Sequence, residues 1–201
     1  MLRIFKTYNF DLHNPVVKNK ILSYSARPGD LESKDDFYVL SQNLVVIESS
    51  LNNYNKSLYE FIKADSLPVW IRVNIANRLA ESSKEWVDLF ELYNSGTHNN
   101  QWAVVDYGLY WDYLNKGAIN TNWTDIVWLV EQFFFLTLKM DVTQNYLLNN
   151  TFFATYNFPY HKEIFDIGDY ETYDPHDPRE DIIKFLSSKN IIIFILFYFI
   201  L

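Results

Sequence analysis

Apolar residues concentrate in short runs whose period changes along the chain. Residues 37–41 and Leu44–Ser50 carry Val39, Leu40, Leu44, Val45, Val46 and Ile47 around a Gln42-Asn43 connection, which predicts two strands and a tight turn. Over 67–82 the spacing becomes helical, with Trp70, Val73, Asn77 and Ala80 on one side and Pro68 suited to a first turn. A second helix is predicted over 84–93, with Trp86, Leu89, Phe90 and Tyr93 on one face. Residues 94–100 are turn formers. Residues 101–107 read as a strand and 126–135 as a buried one. Residues 1–34 are mixed around a turn at Pro28-Gly29, 149–159 read as a loop, and 166–180 as an acidic, irregular stretch. The order β-β-α-α-β-β, with neighbouring strands adjacent in sequence, predicts an α+β domain rather than a doubly wound one. No repeat or linker divides the chain.

Composition narrows the function classes. The 201 residues make room for one domain, and 25 acidic against 17 basic side chains give a net charge of −8. That excludes a nucleic-acid binder working by phosphate neutralisation. Apolar residues at 49% and aromatics at 18% are enough to fill a core. There is no cysteine, so these residues hold no disulfide, zinc ribbon or cysteine nucleophile. The first residues lack an apolar segment of signal-peptide length, and a chain without its own signal peptide is expected. Residues 191–201 are uninterrupted apolar positions. A spanning helix needs about 20, so no stable membrane span is expected. This tail reads as a buried strand or a non-native chain end.

The common catalytic signatures are missing. There is no G-x-S-x-G elbow, Walker loop or G-x-G-x-x-G. His13, His98, His161 and His176 do not fall at metal-ligand spacing, so no metal site is expected. The carboxylates at Asp35-Asp36 and over 166–181 read as solvated loops ahead of a glycosidase pair. Sequons begin at Asn55, Asn122 and Asn149, where chance alone gives about two in a chain this rich in asparagine. The segment Asn94-Ser-Gly-Thr-His-Asn-Asn-Gln-Trp102 places four amides just before an apolar strand. Such amides either satisfy turn backbone or donate to a ligand.

Several stretches together closely resemble the phospholipase B-like family of N-terminal-nucleophile hydrolases. They are Pro28-Gly-Asp-Leu-Glu-Ser-Lys-Asp-Asp-Phe-Tyr38, Leu44-Val-Val-Ile-Glu-Ser-Ser50, Ala76-Asn-Arg-Leu-Ala80, the segment from Asn94 to Tyr107, Val130-Glu-Gln132, Thr155-Tyr-Asn-Phe-Pro159 and Tyr173-Asp-Pro-His-Asp-Pro-Arg179. The most specific is the 94–102 segment, in which His98 stands where the family usually has Tyr. The resemblance covers residues 1–184 and leaves 185–201 as an apolar tail outside it. It implies part of an αββα sandwich, two sheets between helix layers. It also implies a lysosomal or secreted glycoprotein that removes fatty acyl groups from glycerophospholipids, or acts on amides, without a cofactor.

The same resemblance implies a cysteine nucleophile exposed by cleavage, matched upstream of Met1 and absent here. The chain therefore reads as an inactive fragment whose partners are an acyl substrate and the remaining parts of the same precursor. A catalytically dead lipid-binding or interaction module is the alternative. By the same matching, Asn157 is an active-site asparagine whose N–H groups suit an oxyanion. Arg179 is an active-site cation, with pairing to Asp174, Asp177 or Glu180 as its structural alternative. Ser50 stands at a hydroxyl position facing the nucleophile. All three are expected to converge on one concave region. Asn94 and Asn99 read as supporting residues.

Overall fold

A computed structural model describes residues 2–10, 12–117, 123–148, 153–173 and 176–188. The sequons at Asn122 and Asn149, Asp174 and the 191–201 run lie outside these residues. Among the described residues the strands are β1 (Ile4–Asn9), β2 (Ile21–Ala26), β3 (Phe37–Leu40), β4 (Leu44–Ser50), β5 (Asn100–Asp106), β6 (Val127–Phe133) and β7 (Leu136–Asp141). They form one antiparallel sheet in sequence order, β1 to β7. The helices are α1 (Val69–Leu79), α2 (Ser83–Glu91), α3 (Tyr107–Asn115), α4 (Lys162–Ile167), α5 (Tyr170–Tyr173) and α6 (Pro178–Ser188). The fold is α+β, and the described residues supply one sheet with helices on its faces.

Strand register assigns every side chain to a face. Leu44, Val46, Glu48 and Ser50 share one face with Asp106, Val104, Trp102 and Asn100, their partners on β5. Helices α1 and α2 cover this face and bury Leu22, Tyr24, Val46, Val104 and Val130 beneath Val73, Ala76, Trp86 and Phe90. Trp86 stacks on Phe90 at 5.0 Å, and both rings meet Trp102, at 5.5 and 5.3 Å. The inward stripe of α1 is Val69, Arg72, Val73, Ala76 and Asn77, while Trp70 stays exposed. Of the expected stripe, Val73, Asn77 and Ala80 are buried and only Trp70 falls outside it; Asn77 is accommodated inside by accepting the Trp86 indole N–H at 2.8 Å. Buried Arg72 donates to the Phe90 and Leu92 carbonyls and to Gln132, joining α1 to the end of α2 and to β6.

The opposite face is covered unevenly. Its β5–β7 half packs under α3, Val142 and the residues from Phe153 to Ile167, with Leu129, Phe133, Val142 and Ile164 fully buried. On the β1–β3 half, Phe5, Ile21 and Val39 remain 64%, 42% and 42% exposed.

The sheet differs from expectation at β7 and in the acidic stretch. Phe133-Phe134-Phe135 reads as one buried run, yet Phe134 takes φ +43 and turns the chain back into β7. The stretch expected to be irregular, 166–180, holds the end of α4, all of α5 and the start of α6. Its acids Glu171 and Glu180 occupy first turns, as do the flanking Glu163 and Asp181, where they meet the positive helix ends.

Candidate functional site

The ends of β4, β5 and β6 lie side by side, with Ser50 opposite Asn100 and Asn100 opposite Gln132. Alternation at the end of β4 sends Ser49 and Ser50 to different faces. The loop preceding α4 crosses the Ser49 face. There the Asn157 backbone N–H donates to Ser49 Oγ at 2.9 Å, and Asn157 Nδ2 donates to the Ser50 carbonyl at 2.9 Å. Asn157 has φ +67, a left-handed conformation that asparagine tolerates better than most residues. Its backbone shape and its amide direction are thus fixed together.

Arg179, in the first turn of α6, closes the arrangement. Its Nη1 donates to Asn157 Oδ1 at 2.8 Å and its Nη2 to the Tyr156 carbonyl. Its Nε is shared between the Asp177 carboxylate oxygens at 2.9 and 3.1 Å. The guanidinium holds the Asp177 carboxyl below the usual carboxylate range. Arg179 is therefore both ion-paired to Asp177 and directed at Asn157.

Ser50 joins this group only through its backbone. Its hydroxyl lies on the helix-covered face, donating to Glu48 Oε1 at 3.2 Å and sitting 3.3 Å from His98 Nε2. Glu48 also accepts the Asn100 amide. Burial, reinforced by the neighbouring Asp36 carboxylate, pushes Glu48 up to about 7 against those hydrogen bonds. Asp36 is raised as well, chiefly by burial, so the two carboxyls titrate as a pair. The structure brings Asn157 and Arg179 together and places the Ser50 hydroxyl on the other side of the sheet.

The loop carrying Asn157 is held down by a carboxylate that sequence reasoning did not single out. Glu131, on β6, is fully buried. It accepts the backbone N–H of Tyr160 at 2.5 Å and of His161 at 2.9 Å, with His161 Nδ1 at 2.8 Å and the Gln101 amide completing the set. The Glu131-Gln132 pair interrupting the apolar 126–135 run was the available signal. Ser49, which accepts the Asn157 N–H, offered no such cue.

In the 94–102 segment Asn100 and Gln101 donate to the Glu48 and Glu131 carboxylates, whereas Asn94 and Asn99 act on backbone. Asn94 Oδ1 accepts the Gly96 N–H, and its Nδ2 donates to the Phe134 carbonyl at 2.7 Å. Asn99 Oδ1 accepts the Phe134 N–H at 2.8 Å. A Cβ on Gly96, at φ +66, would lie 2.8 Å from the Phe134 Cα. The segment thus clamps the β6–β7 turn and aligns the strand ends. Among the described residues no group of three or more His, Cys, Asp and Glu side chains is arranged to hold a metal ion.

The phospholipase B family model matches residues 1–176. Phospholipase B-like protein B of Dictyostelium discoideum is 38% identical over 201 aligned residues, covering 94% of this chain and 33% of the relative. Phospholipase B-like 1 of Rattus norvegicus is 37% identical over 171 residues, 85% of this chain and 30% of its own length. The Homo sapiens protein of the same name is 36% identical over 171 residues, 85% of this chain and 29% of its own. The chain thus spans about a third of the length of these curated relatives.

Proposed function

Because this chain belongs to the phospholipase B family, we propose that it forms one part of a hydrolase releasing acyl groups from glycerophospholipids, or cleaving related amides. Asn157 and Arg179 supply the oxyanion side of the site. The nucleophile, a cysteine, comes from outside these 201 residues, and this chain alone performs no turnover. The remaining parts of the precursor are its partner, and a lysosomal or secreted glycoprotein is the expected whole.

The observation that carries this reading is the junction of Arg179, Asn157 and the end of β4. One Asn157 N–H is committed to the Ser50 carbonyl, and the amide has a second to offer. A cation 2.8 Å from the amide oxygen polarises the group and makes that N–H a stronger donor. A donor already fixed in direction costs no reorganisation when negative charge develops, which is the requirement for stabilising a tetrahedral intermediate. In this arrangement Ser50 is a positioning residue acting through its carbonyl.

A chimera tests the proposal. The matching segment of the Dictyostelium discoideum relative is replaced by this chain, and fatty-acid release is compared with that of the unaltered parent. Release is retained in the chimera and falls about 10²–10³-fold with Asn157→Ala, while the isolated 201-residue chain releases none. Turnover by the isolated chain, or a chimera indifferent to Asn157→Ala, overturns the reading.

A further inference from the structure

A cavity of about 310 Å³ opens between the Asn157 loop and α6, lined by Gln101, Phe153, Thr155, Tyr156, Phe158, Tyr160 and Ile183 among others. Its size is at the small end of ligand sites, enough for one or two rings. Four of the lining residues are aromatic, offering faces and edges on which a flat ring packs.

Two buried polar atoms of the lining residues have no partner. Gln101 is only 3% exposed, and its Oε1 has no hydrogen-bond partner. A flipped amide does not remove the deficit. Gln101 Nε2 lies between the Glu131 carboxylate and the Phe158 carbonyl, at 3.1 Å from the latter, and both are acceptors only. The oxygen must therefore occupy the other position. Thr155 Oγ1 is a second buried atom without a partner on the same lining. Both atoms accept hydrogen bonds, and a plain hydrocarbon gives them nothing.

We propose that this cavity binds a single aromatic ring bearing an O–H or N–H donor, a phenol or an indole, with the donor on Gln101 Oε1. The ring packs against Tyr156, Phe158 and Ile183, and the donor meets an acceptor that the fold leaves unpaired. The cavity lies beside Asn157, but the inference does not depend on the hydrolase reading. Binding is measured without turnover, so either can fail alone.

The test is titration of the purified 201-residue chain, followed by ligand-observed NMR, with p-cresol and with 4-fluorotoluene, which has the same shape and no donor. p-Cresol binds about tenfold more tightly, the value of one neutral hydrogen bond. Ile183→Trp, on the outer helix, fills the space and abolishes binding while the far-ultraviolet circular dichroism is unchanged. Gln101→Met keeps ring binding and loses the preference for the donor. If that variant does not fold, the paired ligands and Ile183→Trp still decide. N-acetyl-tyrosinamide binding as tightly as p-cresol assigns the ring to a peptide side chain, and weaker binding assigns it to a free small aromatic. Equal affinity for p-cresol and 4-fluorotoluene, binding of neither, or binding indifferent to Ile183→Trp overturns the proposal.

Discussion

On the helix-covered side of β5, Trp102 closes against Trp86 and Phe90, three rings within 5.0–5.5 Å of one another. One residue earlier, on the other side, Gln101 lies against the Glu131 carboxylate and the Phe158 carbonyl. The first contact is made by regular elements whose backbone groups are already paired. There, buried apolar area is the main hold, seconded by Arg72 and by the Asn77–Trp86 hydrogen bond. The second is made by a loop whose N–H groups have no ladder, and a buried carboxylate takes them instead. Helical cover can be read from periodicity. Loop cover depends on single polar residues placed under it.

The largest test of this contrast is Trp86→Ala. Removing a fully buried indole costs about 3–5 kcal/mol, read from urea unfolding. Glu131→Leu comes next, at about 3 kcal/mol, because it leaves the Tyr160 and His161 N–H groups without their acceptor. Its damage is local: amide exchange accelerates over 153–161 before it does in β3 and β4. Uniform acceleration throughout the sheet would erase the distinction between the two kinds of cover.

A third test uses pH. Glu48 and Asp36 hold protons more tightly when folded than when unfolded. Their contribution is intact below the ordinary carboxylate range and is lost as pH rises through about 7. His98 has the opposite sign. Partial loss of water holds it below its ordinary value, so its contribution is lost as pH falls. Glu48→Gln therefore stabilises the protein by about 1 kcal/mol at pH 8, with little change at pH 5, as measured by urea titrations at the two pH values. The smallest effect is on the open half of the loop side. Val39→Thr changes stability by no more than about 0.5 kcal/mol, because Val39 already faces solvent.

The legibility of the sequence follows the same division. The strands over 37–41, 44–50, 101–107 and 126–135, and both helices between them, lie within a few residues of β3, β4, β5, β6, α1 and α2. Each of these elements buries a side against the shared helix-side core. Strands β1 and β2 were not read: β2 buries Leu22, Tyr24 and Ala26 in the same core, but Phe5 and Ile21 on the other face stay exposed among the described residues, so the apolar alternation is incomplete. Strand β7 alternates Leu136, Leu138 and Met140 with Thr137, Lys139 and Asp141, but the Phe133–Phe135 run concealed the turn before it. The acidic 166–180 stretch looked like loop, yet Glu171 and Glu180 serve at helix starts. At the candidate site, Asn157 and Arg179 were singled out by resemblance, whereas Ser49 and Glu131 act through backbone N–H groups, which no side-chain motif announces.

The strand order β1 to β7 also bears on how the chain folds as it is synthesised. Every strand pairs with the one made just before it, so most of the sheet zips from local closures that cost little chain entropy. One pairing is different. Residues 51–99 separate β4 from β5, and this seam has the longest interval between neighbours in the sheet. Until β5 leaves the ribosome, Trp86 and Phe90 lack Trp102 beneath them. A nascent chain stalled before residue 100 thus presents a four-strand sheet and an unfinished aromatic cluster. The arrival of a single strand completes the cluster and, in the same step, sets Gln101 in the lining of the cavity.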